Sequence, residues 1–187
     1  MTRSALTLRA ARPDDAPVLA QLWAEVLQRG HEDEHVEHCR VIVERAKERR
    51  DESVIVAEYD GELAGAVYLQ QTTISPLNAE PMVLALSPHV FDNYRRRGAG
   101  TALLEAAVAF AEELGVGHVG APVVSASRES NRFLARLSLA PVAVLRVAPT
   151  ATLRSKIAAL RPAQRGSGQI DRILASRRLR RRDTFTR

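Results

Sequence analysis

Between Pro81 and Gly115 an extended apolar run, PMVLALSPHV, passes through FDNYRRRGAGT into a segment of helical periodicity that stops at a glycine. Leu103, Ala107, Phe110 and Leu114 recur on one face, while Glu105, Glu112 and Glu113 fall elsewhere, and Gly115 supplies a helix stop. The run before the arginines alternates as a strand, bent at Ser87-Pro88. A strand that enters a helix through a glycine-rich loop needs a sheet to pair with and a sheet face on which to bury the helix. The chain is therefore expected to fold as an α/β domain, of α+β type with a mixed sheet.

The loop also limits the chemistry. A helix that begins at Gly98-Ala99-Gly100 directs unpaired backbone amides outward at the positive end of its dipole, and that geometry attracts phosphate. Glycines allow a ligand to approach the backbone closely, and Arg95, Arg96 and Arg97 add positive charge. An anionic cofactor is expected. A phosphate-binding loop of nucleotide triphosphatases needs Gly-Lys-Ser/Thr, whereas this loop has Gly100-Thr101 without lysine. A dinucleotide fingerprint needs a third glycine where Leu103 stands, and a place on the first strand-helix turn.

The rest of the chain supplies the sheet. Leu6 to Arg9 alternates as a short first strand, and Pro13-Asp14-Asp15 opens an amphipathic helix ending near Gly30. A second helix spans Glu32 to Arg50, with Val36, Cys39, Ile42, Val43 and Ala46 on one face. Ser53–Tyr59 and Leu63–Leu69 flank Asp60-Gly61, a strong hairpin signal. A strand is expected over His118–Val124, a helix over Arg128–Leu137 and a strand over Pro141–Val147. The boundary near Pro149 separates residues 1–150, read as the folded domain, from 151–187, read as a basic, partly helical tail.

This order of elements and the segment Arg95-Arg96-Arg97-Gly98-Ala99-Gly100 resemble the GNAT superfamily of acyl-coenzyme A-dependent N-acyltransferases, whose signature is Gln/Arg-x-x-Gly-x-Gly/Ala between the fourth strand and a helix. The resemblance covers about residues 5–147. It implies that amides from about Arg96 to Thr101, Ala99 among them, cradle the pyrophosphate of acetyl-coenzyme A, and that backbone groups near Val90 bind the pantetheine amides. It implies an N-acetyltransferase acting on a primary amine of a small molecule or a protein. The alternative it leaves open is a module of the same fold that binds acyl-coenzyme A or a partner with little catalysis.

A later family segment, roughly Asn-x-x-Ala-x-x-Phe-Tyr-x-x-x-Gly-Phe, carries a tyrosine that often acts as general acid. Aligned on Phe133, that position is Leu134, the asparagine position is Ser127, and Ser138-Leu139 replaces Gly-Phe. The usual acid is thus expected to be absent, although a thiol with a pKa near ~8.5 leaves tolerably well without a donor. Asn131, one turn from Ser127, is a substitute candidate for cofactor contact. His89, on the strand that feeds the loop, is the candidate general base, with His118 behind it and a water relay through backbone carbonyls as the alternative.

His31, His35 and Cys39 would share a helical face, but their spacing matches no metal motif, so no metal is expected and the acidic residues between them read as a solvated face or a border of the acceptor pocket. The single cysteine and the absence of any run approaching ~18 to 20 uncharged apolar residues imply a cytoplasmic protein with no membrane partner. The net charge of +5 sits in the tail: residues 161–187 hold nine arginines against Asp171 and Asp183, net +7, and the remainder is near −2. With Phe185 the only aromatic residue there, docking of Ile170, Ile173 and Leu174 on the domain or in a homodimer is preferred to nucleic-acid binding, with plain disorder as the equal alternative to docking.

Overall fold

The computed structural model describes residues 5–27, 31–75, 77–123 and 127–160. Five strands form one sheet in the order β1-β2-β3-β4-β5, with β1 Leu6–Ala10, β2 Glu52–Tyr59, β3 Glu62–Ser75, β4 Asn78–Val90 and β5 Val119–Gly120. The first four pair antiparallel and β5 joins β4 in parallel. The helices are α1 Ala16–Leu22, α2 Glu32–Glu48, α3 Ala99–Glu113, α4 Arg128–Arg136 and α5 Thr150–Leu160. This is the expected mixed α/β sheet. The chain divides into two units, Met1–Ala140 and Pro141–Arg187.

The Asp60-Gly61 hairpin forms as expected. Both residues have positive φ, 52° and 87°, the paired left-handed geometry whose twist matches that of the flanking strands. Beyond it the hairpin of β3 and β4 is longer than the apolar pattern indicates: it runs through Gln70-Gln71-Thr72-Thr73, where polar side chains hide a strand whose cross-strand ladder reaches Ser75↔Asn78.

Alternation along β2 gives the sheet two buried faces. Ala57 and Tyr59 lie in one core with Leu103, Leu104 and Ala107 of α3, and Ile55 packs against it. Val54 and Val56 lie in the other, with Leu19 and Trp23 from the α1 side and Cys39 and Val43 of α2. Leu103 is fully buried, and its truncation to alanine falls in the class of core deletions that cost about 2 to 5 kcal/mol.

Three other elements fall short of expectation. The first helix is shorter, ending regular form at Leu22 with turns to Leu27. The strand expected over His118–Val124 contains only Val119–Gly120; Pro122 has no amide to continue the ladder, and Val124 lies outside the described residues. Residues 141–147 form no strand: Val142, Val144, Leu145 and Val147 are exposed, and alternation of apolar residues without a paired edge does not make a strand. The arginine-rich tail lies outside the described residues.

Candidate active site

At the end of β4 the chain makes a short 3₁₀ turn, Asp92–Tyr94, passes the three arginines and enters α3 at Gly98. Gly98 has φ 95°, a conformation that a side chain strains, and Arg96 is also left-handed at 61°. No side chain caps α3. The first backbone bond back into the helix is Ala102 N–H to the Gly98 carbonyl, so the amides of Ala99, Gly100 and Thr101 precede the helical ladder and face outward.

Aromatic packing holds the loop in place. The Tyr59 hydroxyl, at the end of β2, donates to the Arg97 carbonyl, and the Tyr59 and Tyr94 rings stack with centroids 5.6 Å apart. The Arg97 guanidinium lies 5.8 Å from the centre of the Tyr94 ring. Arg95 turns back on the loop, pairing with Asp92 at 3.0 Å and reaching the Val90 carbonyl at 3.4 Å. Tyr59 was not among the residues expected in the site; it stands 38 positions from its partner, and nothing local marks the contact.

Pairing between β4 and β5 ends at Leu84↔Gly120. From Ala85 to Val90 no strand covers that side of β4 among the described residues, which leaves an open edge leading to the loop. Gly120 sits where the two strands crowd: a Cβ there would fall 2.5 Å from the Met82 methyl. On the other side β4 presses on β3, and a Cβ on Gly65 would lie 2.6 Å from the His89 carbonyl.

His89 pairs in register with Ala66, a residue of the α1 and α2 core, whereas Val90 packs toward α3. Successive side chains on a strand point to opposite faces, so His89 stands on the α1 side. Its Nδ1 lies 3.1 Å from the Ser87 carbonyl. His118 is exposed and lies 3.4 Å from Glu80, away from this end of β4.

Asn131 lies in the first turn of α4 and donates from Nδ2 to the Ser127 carbonyl at 2.7 Å. Leu134 is buried in the α3-side core. Phe133 approaches the loop: a Cβ on Gly100 would stand 3.6 Å from its ring, an ordinary contact. Cys39 is buried, and burial pushes its thiol up to about 11, which makes it inert rather than nucleophilic. A cleft of about 540 Å³ lies at the opposite end of β2, lined by Leu8, Ile55, Phe110 and Arg50 among others. It shares no residue with the loop, and Arg49 and Glu52 on its rim pair with each other at 3.1 Å.

Among the described residues no group of three or more His, Cys, Asp or Glu could hold a metal ion, and no helix is long and apolar enough to cross a membrane.

The acetyltransferase (GNAT) family model matches residues 17–138, and the chain belongs to that family. No curated protein matches the chain in sequence. Among solved structures it is similar to the aminoglycoside N-acetyltransferase AAC(6')-Iy in complex with CoA, at 14% identity and TM-score 0.67, over 80% of this chain and 98% of that one. A transcriptional regulator from Bacillus halodurans C-125 is similar at 17% identity and TM-score 0.65, over 77% and 99% of the two chains. Glucosamine-6-phosphate N-acetyltransferase from Arabidopsis thaliana follows at 14% and 0.61, over 78% and 99%. At these identities the likeness is one of fold.

Proposed function

We propose that the chain is an acetyl-coenzyme A-dependent N-acetyltransferase that acts on a primary amine of a small molecule or a protein in the cytoplasm. The observation that carries this reading is the start of α3: a family-matched loop whose outward amides no side chain caps. The residues present suit a coenzyme A pyrophosphate. Gly98 leaves the approach open, since nothing lies within 4 Å of where its Cβ would be, and the exposed Arg96 and Arg97 supply positive charge.

The donor, when bound, supplies a thioester carbonyl open to attack by an amine. The amides from Arg96 to Thr101 hold the pyrophosphate, and the uncovered edge of β4 up to Val90 holds the pantetheine arm in the manner of an added strand. His89 accepts a proton from the incoming ammonium at Nε2, because Nδ1 faces a carbonyl, which can only accept. Asn131, one turn into α4, is the weakest member of the proposed set, since its amide already serves Ser127.

A second reading, a coenzyme A-binding module with little catalysis, is favoured by Leu134: at the position of the family's usual acid stands a buried hydrocarbon. Calorimetric titration with coenzyme A tests both readings, and an absence of saturable binding at millimolar ligand would overturn both. Thiol release from acetyl-coenzyme A with a panel of amines separates them, for the module reading expects binding without turnover.

A further inference from the structure

The bend of β4 has a partner far away in sequence. Ala66 faces His89 and Tyr68 faces Leu86, so Val67 stands opposite two residues, Ser87 and Pro88, which form a bulge. Ser87 is left-handed there, φ 47°, an uncommon conformation for a residue with a side chain. A bulge takes its carbonyl out of the strand ladder, and such a group needs another donor. The Ser87 carbonyl receives two: the Trp23 indole Nε1 at 2.9 Å and the His89 ring Nδ1 at 3.1 Å.

These contacts constrain each other. A carbonyl oxygen has two lone pairs and no proton, so both ring nitrogens must donate. In neutral His89 the proton is then on Nδ1 and the lone pair is on Nε2. Trp23 follows the last residue of α1 and is 5% exposed, in the core it shares with Leu19 and Ala20 and with Val54, Val56 and Ala66 of the sheet. It is a rigid donor, and it fixes the direction of the carbonyl that selects the histidine tautomer.

We propose that Trp23 is a positioning residue for the transfer reaction: through the Ser87 carbonyl it holds the β4 bulge and keeps His89 as the Nδ1–H tautomer with a basic Nε2. This rests on the reading of His89 as the base. Trp23 does not touch substrate in this role. The packing of an indole on α1 sets the proton inventory of a residue on β4, 66 positions away, which ties the first helix to the chemistry of the site.

The test uses the full chain, in which Trp23 is the sole tryptophan and can be replaced globally by 3-benzothienylalanine, an isostere with sulfur in place of the indole N–H. Trp23→Phe is the second variant. Histidine ring ¹⁵N resonances are recorded without ligand, with His89 identified by its loss in His89→Gln. In the unmodified protein we expect a pyrrole-type Nδ1 and a pyridine-type Nε2 at His89. In both variants the Ser87 carbonyl loses the donor that fixes its direction and turns off the His89 ring, so we expect the signature to move toward the Nε2–H form, while coenzyme A affinity stays within about twofold and kcat with a competent amine falls about tenfold at unchanged KM, as for a group acting on proton transfer alone.

An Nε2–H tautomer in the unmodified protein would overturn the proposal without any variant. So would an unchanged His89 signature in a folded 3-benzothienylalanine protein. The ring signature does not depend on turnover: if His89→Gln retains full activity while the tautomer responds to Trp23, the base assignment fails and the tryptophan-to-carbonyl coupling stands.

Discussion

The helices α3 and α4 approach each other at Gly100 and Phe133, yet they begin in opposite ways. At α4 the Ser127 hydroxyl accepts from the Ser130 amide at 3.4 Å, and Asn131 returns a side-chain bond to the Ser127 carbonyl. At α3 the residue before the helix is a left-handed glycine and no side chain caps the helix. In the first two helical segments the bond runs the other way, from the residue before the helix to a carboxylate in its first turn: the Arg12 amide donates to Asp15 at 2.6 Å, and the His31 amide to Glu34 at 3.3 Å. A helix start whose donors are met by its own side chains is architecture, whereas one that leaves them outward can take an anion.

The largest effect is expected at α3. Gly100→Glu should abolish saturable coenzyme A binding by calorimetry while leaving the melting temperature unchanged or raised, because a carboxylate in the first turn favours the helix dipole and its Cβ meets only ordinary contact with Phe133. Retained binding would dissolve the contrast between the two helices.

Tyr59→Phe should weaken coenzyme A up to about tenfold, the worth of a single hydrogen bond of ~0.5 to 1.5 kcal/mol, because the Arg97 carbonyl loses its donor and the loop loses part of its support. An unaltered affinity would show that stacking on Tyr94 suffices.

Ser127→Ala should have the reverse profile: a loss of about 1 kcal/mol in urea-induced unfolding, with coenzyme A affinity within about twofold. A large loss of affinity would make the start of α4 part of the site.

The smallest effect concerns Asp15, whose carboxyl is held below its ordinary range first by the Arg9 guanidinium, at 2.7 Å, against an opposing contribution from burial, and then by the Arg12 amide. A depressed carboxyl stabilises the fold above its unfolded value, near ~3.9, and that contribution is lost as pH falls through the folded value. Asp15→Asn keeps an acceptor for the cap and removes the charge, so it should cost on the order of 1 kcal/mol at pH 7, and the gap to the parent protein should narrow in acid. A gap independent of pH would assign the cost to packing.

Much of this arrangement is legible in the residues. The arginine-glycine segment, the periodic helix behind it and the Asp60-Gly61 hairpin are local signals, because φ freedom, alternation and helical spacing are properties of neighbours in sequence. The long polar half of β3, by contrast, escapes a reading based on apolar alternation, since Gln70 through Thr73 are held in the sheet by the ladder with β4. Pro141–Val147 errs in the other direction, having the composition of a strand and no strand pairing.

The residues alone specify a mixed α/β domain of the acyltransferase type and an arginine-glycine loop that opens its central helix. They do not say which groups hold that loop and orient the histidine. Tyr59 to Arg97 spans 38 positions and Trp23 to Ser87 spans 64. A tyrosine at the end of a strand and a tryptophan after a helix are, in sequence, only large apolar residues suited to a core. Their polar ends acquire partners once the sheet is assembled, because a bulge in β4 and a left-handed glycine before α3 release carbonyls that cannot be left unmet in a half-buried place.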